Sequence, residues 1–171
     1  MKPASESLTS KIASKIGRWA QARSLWYFPV NLGCCGDEVF AAQGPRYDWE
    51  RFGCRAVEDP ARADLLIVSG PVNALAGRWL QKLFAEMRGP KFVVAVGSCA
   101  TTGGLFRNQE ESGSLGDRSV SGIDQYLPVS VYVAGCPPRP EAILHGILEL
   151  QRQIREGHES RTMVQRASAR T

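Results

Sequence analysis

The chain contains no apolar run near the roughly 18 residues that a membrane-spanning helix needs. Its first residues also lack the apolar core of a secretory signal peptide. These two absences predict a soluble, cytoplasmic protein. With 171 residues, of which 43% are hydrophobic, the chain is long enough to form one domain with a hydrophobic core.

Histidine is scarce, with two residues, and the five cysteines are an odd number. In a chain without a secretory signal, an odd count argues against a disulfide framework and favours metal binding. The glycine pair at 103–104 lacks the lysine and the spacing of a phosphate-binding loop. We therefore discount nucleotide binding.

Charge is unevenly distributed along a chain whose formal net charge is +4. Both ends are basic, since residues 1–24 and 151–171 each carry five Lys or Arg against one and two acidic residues respectively. Basic ends indicate contact with acidic partners or with an anionic membrane surface. Solvated ends without a partner are the alternative interpretation.

An amphipathic helix is predicted for residues 5–22, where apolar residues recur at helical spacing. These residues are Leu8, Ile12, Ile16 and Trp19. A membrane surface, a partner subunit or the chain's own domain could cover this apolar face.

The central part of the chain alternates strands with helices. Strand-like runs at residues 24–30, 54–57, 63–69, 91–96 and 128–134 are interleaved with helical patterns at 72–87 and 141–154. This order predicts an α/β domain with a mainly parallel, flavodoxin-like sheet flanked by helices. We divide the chain into an N-terminal amphipathic helix (1–23), an α/β domain (24–155) and a basic tail (156–171).

Four cysteines each follow a predicted strand, namely Cys34, Cys35, Cys99 and Cys136. Ligands of such folds bind outside the carboxyl ends of the strands, so we expect these four thiols to meet at one edge of the sheet. Cys54 instead begins a strand, which predicts a position at the opposite edge.

The local sequence around these cysteines constrains their backbone. Adjacent side chains point to opposite faces of a regular strand, so we expect Gly33 and Gly36 to supply the backbone angles that let the tandem pair converge. Cys136 lies in a stiff turn before two prolines. We further expect backbone amides near residues 97 and 103–104 to donate to sulfur and tune a redox potential.

Four thiolates fit either a structural zinc ion or an iron–sulfur cluster. Zinc sites favour paired ligands with two to four residues between them, whereas Cys99 lies far along the chain from Cys35 and from Cys136. A cubane cluster is therefore the better interpretation. A zinc-stabilised, non-redox assembly subunit remains the alternative of another class.

Five motifs, in this order, carry a resemblance to a known family: C-C-x-x-E, R-Y-D-x-x-R-F-G, A-D-L-L-I-V-x-G, G-S-C-A-x-x-G-G and P-V-x-V-Y-V-x-G-C-P-P-R-P-E-A. Across about residues 24–154 the chain resembles the cluster-bearing small subunit of respiratory complex I (NADH:quinone oxidoreductase). It is similar also to the small subunits of membrane-bound, energy-converting NiFe hydrogenases.

The resemblance implies one [4Fe–4S] cluster, the last in an electron-transfer chain, with Cys34, Cys35, Cys99 and Cys136 as its ligands. It implies a peripheral subunit on the cytoplasmic face of the cell membrane, partnered by a large catalytic subunit, a ferredoxin-like iron–sulfur subunit and membrane-arm subunits, and no nucleic acid. The cluster would pass electrons toward a quinone-like acceptor at the interface with the large subunit.

The motifs do not all favour the same branch of this family. The tandem cysteine pair is the complex I form, but S-L-W-Y-F-P-V-N, W-E-R-F-G and S-G-P-V resemble the hydrogenase branch. Residues 73–78 also lack the methionine of the segment that lines the quinone cavity in complex I. A NiFe centre is therefore the alternative acceptor. An apparent insertion at 107–118 is predicted to be an exposed loop that contacts a neighbouring subunit.

Two hypotheses concern charge near the cluster. Glu38 matches the glutamate of C-C-x-x-E and is predicted to take up a proton when an electron arrives, with Asp37 as its rival. Arg46, Arg51 or Arg62 is predicted to lie close to the cluster, because the chain places all three in turns beside the tandem pair. The alternatives are a helix cap or partner contact for Glu38 and surface ion pairs for the arginines.

Overall fold

The structure is a computed structural model, and it describes residues 8–107 and 120–157. Its strands are β1 (Leu25–Asn31), β2 (Cys54–Ala56), β3 (Leu65–Ser69), β4 (Val72–Asn73), β5 (Phe92–Val96), β6 (Val120–Ser121) and β7 (Val131–Val133). Its α-helices are α1 (Leu8–Ala22), α2 (Cys35–Gln43), α3 (Ala74–Glu86), α4 (Gly97–Thr102) and α5 (Pro140–Glu156). Short 3-10 turns occupy Trp49–Phe52, Pro60–Arg62, Gly104–Phe106 and Ile123–Gln125.

Five strands form one parallel sheet in the order β2-β1-β3-β5-β7, while β4 and β6 pair separately and antiparallel. Counted among the parallel strands alone, this is the 2-1-3-4-5 order of a flavodoxin-like, doubly wound sheet. The predicted α/β fold with a mainly parallel sheet is confirmed.

The two central strands anchor the domain, because every residue of β3 and β5 is buried. Alternate side chains face two separate cores: Ile67 and Val94 pack with residues of α2 and α5, whereas Leu66 and Val93 pack with residues of α3. Each fully buried aliphatic side chain contributes about 1.5–3 kcal/mol. The sheet is therefore held on both faces, and its carboxyl edge has a fixed position.

The helix predicted for residues 72–87 begins later than expected. Val72 and Asn73 pair with β6 instead, and the Asn73 Oδ1 accepts the Ala76 N–H at 2.8 Å, which caps α3. An Asn side chain at the N-cap satisfies an otherwise free helical N–H. The apolar spacing begins at Val72, before this cap, so it predicted too early a start for the helix. The strand predicted for residues 128–134 is also shorter than expected, because β7 covers only Val131–Val133.

The predicted N-terminal helix is confirmed as α1, which packs against α5 and buries Ala22. Its apolar stripe is not used for this packing, since Ile12, Ile16 and Trp19 are 50%, 60% and 58% exposed. No helix in the described ranges is both long and apolar enough to cross a bilayer. The predicted tail beyond residue 157 and the predicted loop beyond residue 107 lie outside the described residues.

A half-buried carboxyl group, that of Asp64, joins β1 and β3 at the amino edge of the sheet. The Trp26 N–H donates to Asp64 Oδ1 at 2.8 Å, and the Asp64 N–H donates to the Trp26 carbonyl at 2.9 Å. Burial raises the pKa of Asp64 to about 6, although the Trp26 N–H and Arg88 favour its charged form. The Asp64 carboxyl group therefore loses its proton less readily in the folded chain than in water.

We expect this acid to make the stability of the chain pH-dependent. The folded chain binds the proton more tightly than the unfolded chain, in which an Asp pKa is about 3.9. The Asp64 contribution to the free energy of unfolding is therefore complete below about pH 4 and is lost as pH rises through about 6. With solvent screening of this half-buried group included, the loss is roughly 1–2 kcal/mol.

Asp64→Asn keeps the Oδ1 acceptor and removes the titration, so its unfolding free energy should vary less between about pH 4 and pH 6. Urea unfolding of both proteins across this range measures the difference. Glu58→Gln, at an exposed site, should keep the wild-type profile. Equal pH dependence in wild type and Asp64→Asn would contradict this role.

Candidate functional site

The carboxyl ends of three parallel strands bring four thiols together. Cys34 and Cys35 follow β1, Cys99 lies in α4 directly after β5, and Cys136 follows β7. Cys35 is buried and Cys99 is half-buried, while Cys34 and Cys136 are exposed. We call this group of four cysteines the thiol edge.

The thiols of the thiol edge influence one another's pKa values. Burial, together with neighbouring Cys34, Cys99 and Cys136, raises the pKa of Cys35 to about 11. Burial also raises the pKa of Cys99, with additional effects of Cys136 and Cys34. Each thiol therefore resists losing its proton while the others are charged, and cations bound among them would remove that repulsion.

The tandem pair converges through a helix start. Cys34 is the N-cap of α2, with φ −56° and ψ −27°, and Cys35 is its first residue. Successive helical residues diverge by about 100°, where strand residues diverge by 180°. The expected unusual angles at Gly33 and Gly36 are absent, because neither glycine has positive φ. Gly36 instead permits close packing, since a Cβ there would lie 2.7 Å from the Asn31 Cβ.

Gly97 makes room for the buried thiol of Cys35. Its φ of +88° is a left-handed backbone angle that favours glycine. A Cβ at Gly97 would collide with the Cys35 Sγ. The first residue after β5 thus has to be glycine for both a backbone and a steric reason.

The turn after α4 folds back over Cys99. Gly103 and Gly104 have φ of +89° and +54°, and the Leu105 N–H that follows them donates to Cys99, which lowers the pKa of that thiol against the effect of burial. The sequence prediction concerned backbone amides that donate to the sulfurs of a bound cluster, whereas the acceptor here is the Cys99 thiol. The donor favours a charged sulfur at Cys99.

The turn that carries Cys136 is attached to the turn that carries Cys99. The Ser98 N–H and the Ser98 hydroxyl both donate to the Gly135 carbonyl, at 2.8 Å and 3.0 Å. No local sequence pattern indicates this contact, because the two turns lie far apart along the chain. The G-S-C motif marked Ser98 only by its position beside Cys99.

Cys54 lies at the opposite edge of the sheet, as predicted, since it pairs with the first residue of β1, Leu25. Burial raises the pKa of Cys54 to about 12, with a further effect of Asp64. Gln151 Nε2 donates to the Phe52 carbonyl at 2.7 Å and approaches Cys54 Sγ at 3.8 Å. Cys54 is thus a buried structural residue within the hydrophobic core.

Glu38 lies in the first turn of α2 and is half-buried, whereas Asp37 beside it is exposed. The Tyr47 hydroxyl nearby donates to Glu141 Oε1 at 2.8 Å, at the start of α5. The Glu141 backbone N–H and the Tyr47 hydroxyl lower the pKa of Glu141, and Arg46 adds to this effect. Arg46, Tyr47 and Glu141 therefore form a group of charged and polar side chains between α2 and α5.

The three arginines of the sequence hypothesis lie in different places. Arg46 packs over the Tyr47 ring in the charged group just described. Arg51 packs on Phe52 before the amino end of β2, and Arg62 packs on Trp26 before the amino end of β3. The interpretation that Arg51 or Arg62 flanks the thiol edge is wrong, because a turn close in sequence to the tandem pair can lie at the other end of a strand.

The thiol edge consists of four free cysteines, a residue type that binds metals. Within residues 8–107 and 120–157, no three His, Cys, Asp or Glu side chains are grouped closely enough to hold a single metal ion. Four thiols are a ligand set that suits an iron–sulfur cluster as well as a zinc ion. Fold and site together have the make-up of a cofactor-binding α/β domain: a doubly wound parallel sheet with four thiols at its carboxyl edge.

Comparison with known proteins gives the family. A model of the family described as "NADH ubiquinone oxidoreductase, 20 Kd subunit" matches residues 33–150, and the chain belongs to this family. An NADH-quinone oxidoreductase subunit of Carboxydothermus hydrogenoformans is 44% identical over 137 residues, which are 80% of this chain and 78% of that protein. The corresponding subunit of Roseiflexus castenholzii is 39% identical over 142 residues, which are 82% of this chain and 80% of that protein.

A solved structure extends the comparison. A chain of the membrane-bound sulfane sulfur reductase, an archaeal respiratory membrane complex, superposes with a TM-score of 0.75 at 34% identity, covering 84% of this chain and 77% of that one. The family makes this chain a subunit of an oxidoreductase complex and implies an iron–sulfur cluster.

We expect Gly97→Ala to impair cofactor loading. The added Cβ would displace the Cys35 sulfur and strain a positive φ, at a cost of about 1 kcal/mol or more for the strain alone. Iron and sulfide content of the purified complex should fall well below wild type. Gly17→Ala is the control, because a Cβ at Gly17 meets nothing within 4 Å. Full iron content in Gly97→Ala would contradict the steric argument.

Proposed function

We propose that this chain carries one [4Fe–4S] cluster, the last in the electron-transfer chain of a membrane-associated, energy-converting oxidoreductase complex. Electrons would pass from it toward a quinone-like acceptor at the interface with the large subunit. The observation that carries the proposal is the thiol edge, where Cys34, Cys35, Cys99 and Cys136 meet at the carboxyl ends of parallel strands. Family membership and the names of the relatives support it.

Each of the four cysteines would supply one thiolate ligand. When bound, the cluster supplies a site that stores and releases one electron at a time. The chain contributes the rest: α2 and α4 orient the thiolates, burial around Cys35 limits water, and the Leu105 N–H stabilises charge at Cys99 Sγ. Hydrogen bonds to sulfur and restricted solvent access are the means by which proteins tune such potentials.

The spacing of the thiols argues against the zinc alternative. Zinc sites favour paired ligands with two to four residues between them, whereas Cys99 lies far along the chain from both Cys35 and Cys136. A zinc-stabilised assembly subunit is therefore the weaker proposal.

Partners are proposed for two surfaces. The exposed stripe of α1 (Ile12, Ile16 and Trp19) offers apolar area for peripheral contact with the cytoplasmic face of the cell membrane or with membrane-arm subunits. Leu105, 88% exposed beside the thiol edge, offers apolar area to the large catalytic subunit. A ferredoxin-like iron–sulfur subunit would deliver the electrons.

A NiFe centre on the large subunit is the second candidate acceptor. It is favoured by the hydrogenase-like motifs S-L-W-Y-F-P-V-N, W-E-R-F-G and S-G-P-V. The large subunit decides between the two, because a NiFe centre needs two C-x-x-C pairs there. Nickel in the purified complex would favour the second candidate.

The ligand assignment predicts which cysteine substitutions matter. Serine in place of Cys34, Cys35, Cys99 or Cys136 should abolish or reshape the low-temperature EPR signal of the reduced complex, since one iron loses its thiolate. Cys54→Ser should leave the signal unchanged, because Cys54 lies at the opposite edge. An unchanged signal in Cys99→Ser, or a lost signal in Cys54→Ser, would overturn the assignment.

We also propose that Glu38 holds the proton that accompanies the electron. Its carboxylate lies in the first turn of α2, directly after the tandem pair, and is half-buried. Negative charge arriving at the thiol edge favours the protonated form of a nearby carboxyl group. Arg46, beside Tyr47 and Glu141, is the remaining candidate for an arginine that stabilises the same charge.

The proton hypothesis predicts a pH-dependent potential. In wild type the midpoint potential of the cluster should fall as pH rises, and in Glu38→Gln this slope should flatten, because the coupled group is gone. Redox titration across pH measures it. Asp37→Asn, at the exposed neighbour, should keep the wild-type slope. Equal slopes in wild type and Glu38→Gln would exclude Glu38.

A further inference from the structure

The two turns that carry Cys99 and Cys136 are joined through one carbonyl group. Ser98, directly before Cys99, donates both its N–H and its hydroxyl to the Gly135 carbonyl, directly before Cys136. We propose that Ser98 is a positioning residue whose hydroxyl fixes Cys136 relative to Cys99 and so determines how firmly the thiol edge retains its iron. This inference rests on the proposed function.

The Cys136 turn has few other attachments. Pro137 and Pro138 have no N–H to donate, and among the described residues both hydrogen bonds recorded for 135–138 outside the sheet come from Ser98. Gly135 has φ of +150°, and a Cβ there would collide with Pro138. The turn is thus stiff internally, and buried Pro138 packs its far end, while the Ser98 hydrogen bonds hold the end at Gly135, directly before Cys136.

The other side of this link is well anchored. Ser98 belongs to α4, which follows the fully buried strand β5, and its carbonyl accepts the Thr102 hydroxyl at 3.1 Å. Ser98 therefore has a fixed position within the fold. Movement between the two cysteines has to come from the Cys136 turn, and the Ser98 hydroxyl opposes that movement.

The effect of the hydroxyl can be separated from folding. Ser98→Ala removes one of the two hydrogen bonds and keeps the backbone N–H bond, so the turn stays attached. One typical hydrogen bond corresponds to about a fivefold change in an equilibrium at 25 °C. If iron leaves when the turn opens, iron loss should become about fivefold faster. Ser98→Thr keeps a hydroxyl and should restore the wild-type rate.

The same two strands offer a matched control at the other edge. The Val93 N–H of β5 donates to the Ser130 hydroxyl at 3.3 Å, and the Ser130 N–H donates to the Val93 carbonyl at 2.8 Å. Ser130 is half-buried like Ser98 and also joins β5 to the segment of β7. Ser130→Ala therefore removes a comparable hydroxyl far from the thiols.

The test uses the purified intact complex, reduced with dithionite under argon, and follows iron transfer to a ferrous chelator together with the EPR spectrum and the thermal midpoint. We expect about fivefold faster iron loss and an altered EPR line shape in Ser98→Ala, with wild-type behaviour in Ser98→Thr and Ser130→Ala. A wild-type rate in Ser98→Ala would overturn the inference. So would equal acceleration in Ser98→Ala and Ser130→Ala, which would indicate general destabilisation.

A different result would contradict the proposed function itself. If the wild-type complex shows no iron–sulfur EPR signal assignable to this chain, the cluster proposal is wrong before any variant is compared. If that signal is present and Ser98→Ala leaves iron loss and line shape unchanged, only the positioning role is wrong.

Discussion

Parallel pairing of β1, β3, β5 and β7 is the interaction on which the thiol edge depends. Each pair has a defined register, and a slip of one residue would turn the buried side chains of β3 and β5 toward the wrong face. Because both faces of these strands are buried, such a slip would cost many apolar contacts at once. The strand ends, and the cysteines that follow them, are therefore placed by the core and not by the cysteines themselves.

The surroundings of the thiol edge disfavour the charged forms of two of its thiols. Burial and neighbouring thiols raise the pKa values of Cys35 and Cys99, so metal binding has to displace protons from both. Local features reduce this cost: the Leu105 N–H points at Cys99, and Gly97 leaves space for the Cys35 sulfur. Under the proposed function, the positive charge of the bound iron would offset the repulsion among the thiolates.

The sequence predicted what depends on strand order. Four cysteines after strands and Cys54 before one were enough to separate the two edges of the sheet, because parallel strands share their direction. It did not predict the late start of α3 after Asn73 or the link from Ser98 to Gly135. These features arise from contacts between distant segments, which leave no periodic pattern in the chain. The arginines show the same limit, since Arg51 and Arg62 are near the tandem pair in sequence and at the other edge in space.

The central claim is that one iron–sulfur cluster joins Cys34, Cys35, Cys99 and Cys136. A cryo-EM map of the intact complex tests it most directly, because the cubane is the densest feature that such a subunit could contain. The account predicts one cubane density that is continuous with the Sγ atoms of all four cysteines, and no extra density at Cys54. Density for a single ion, or a cluster bound by any other set of residues, would contradict it.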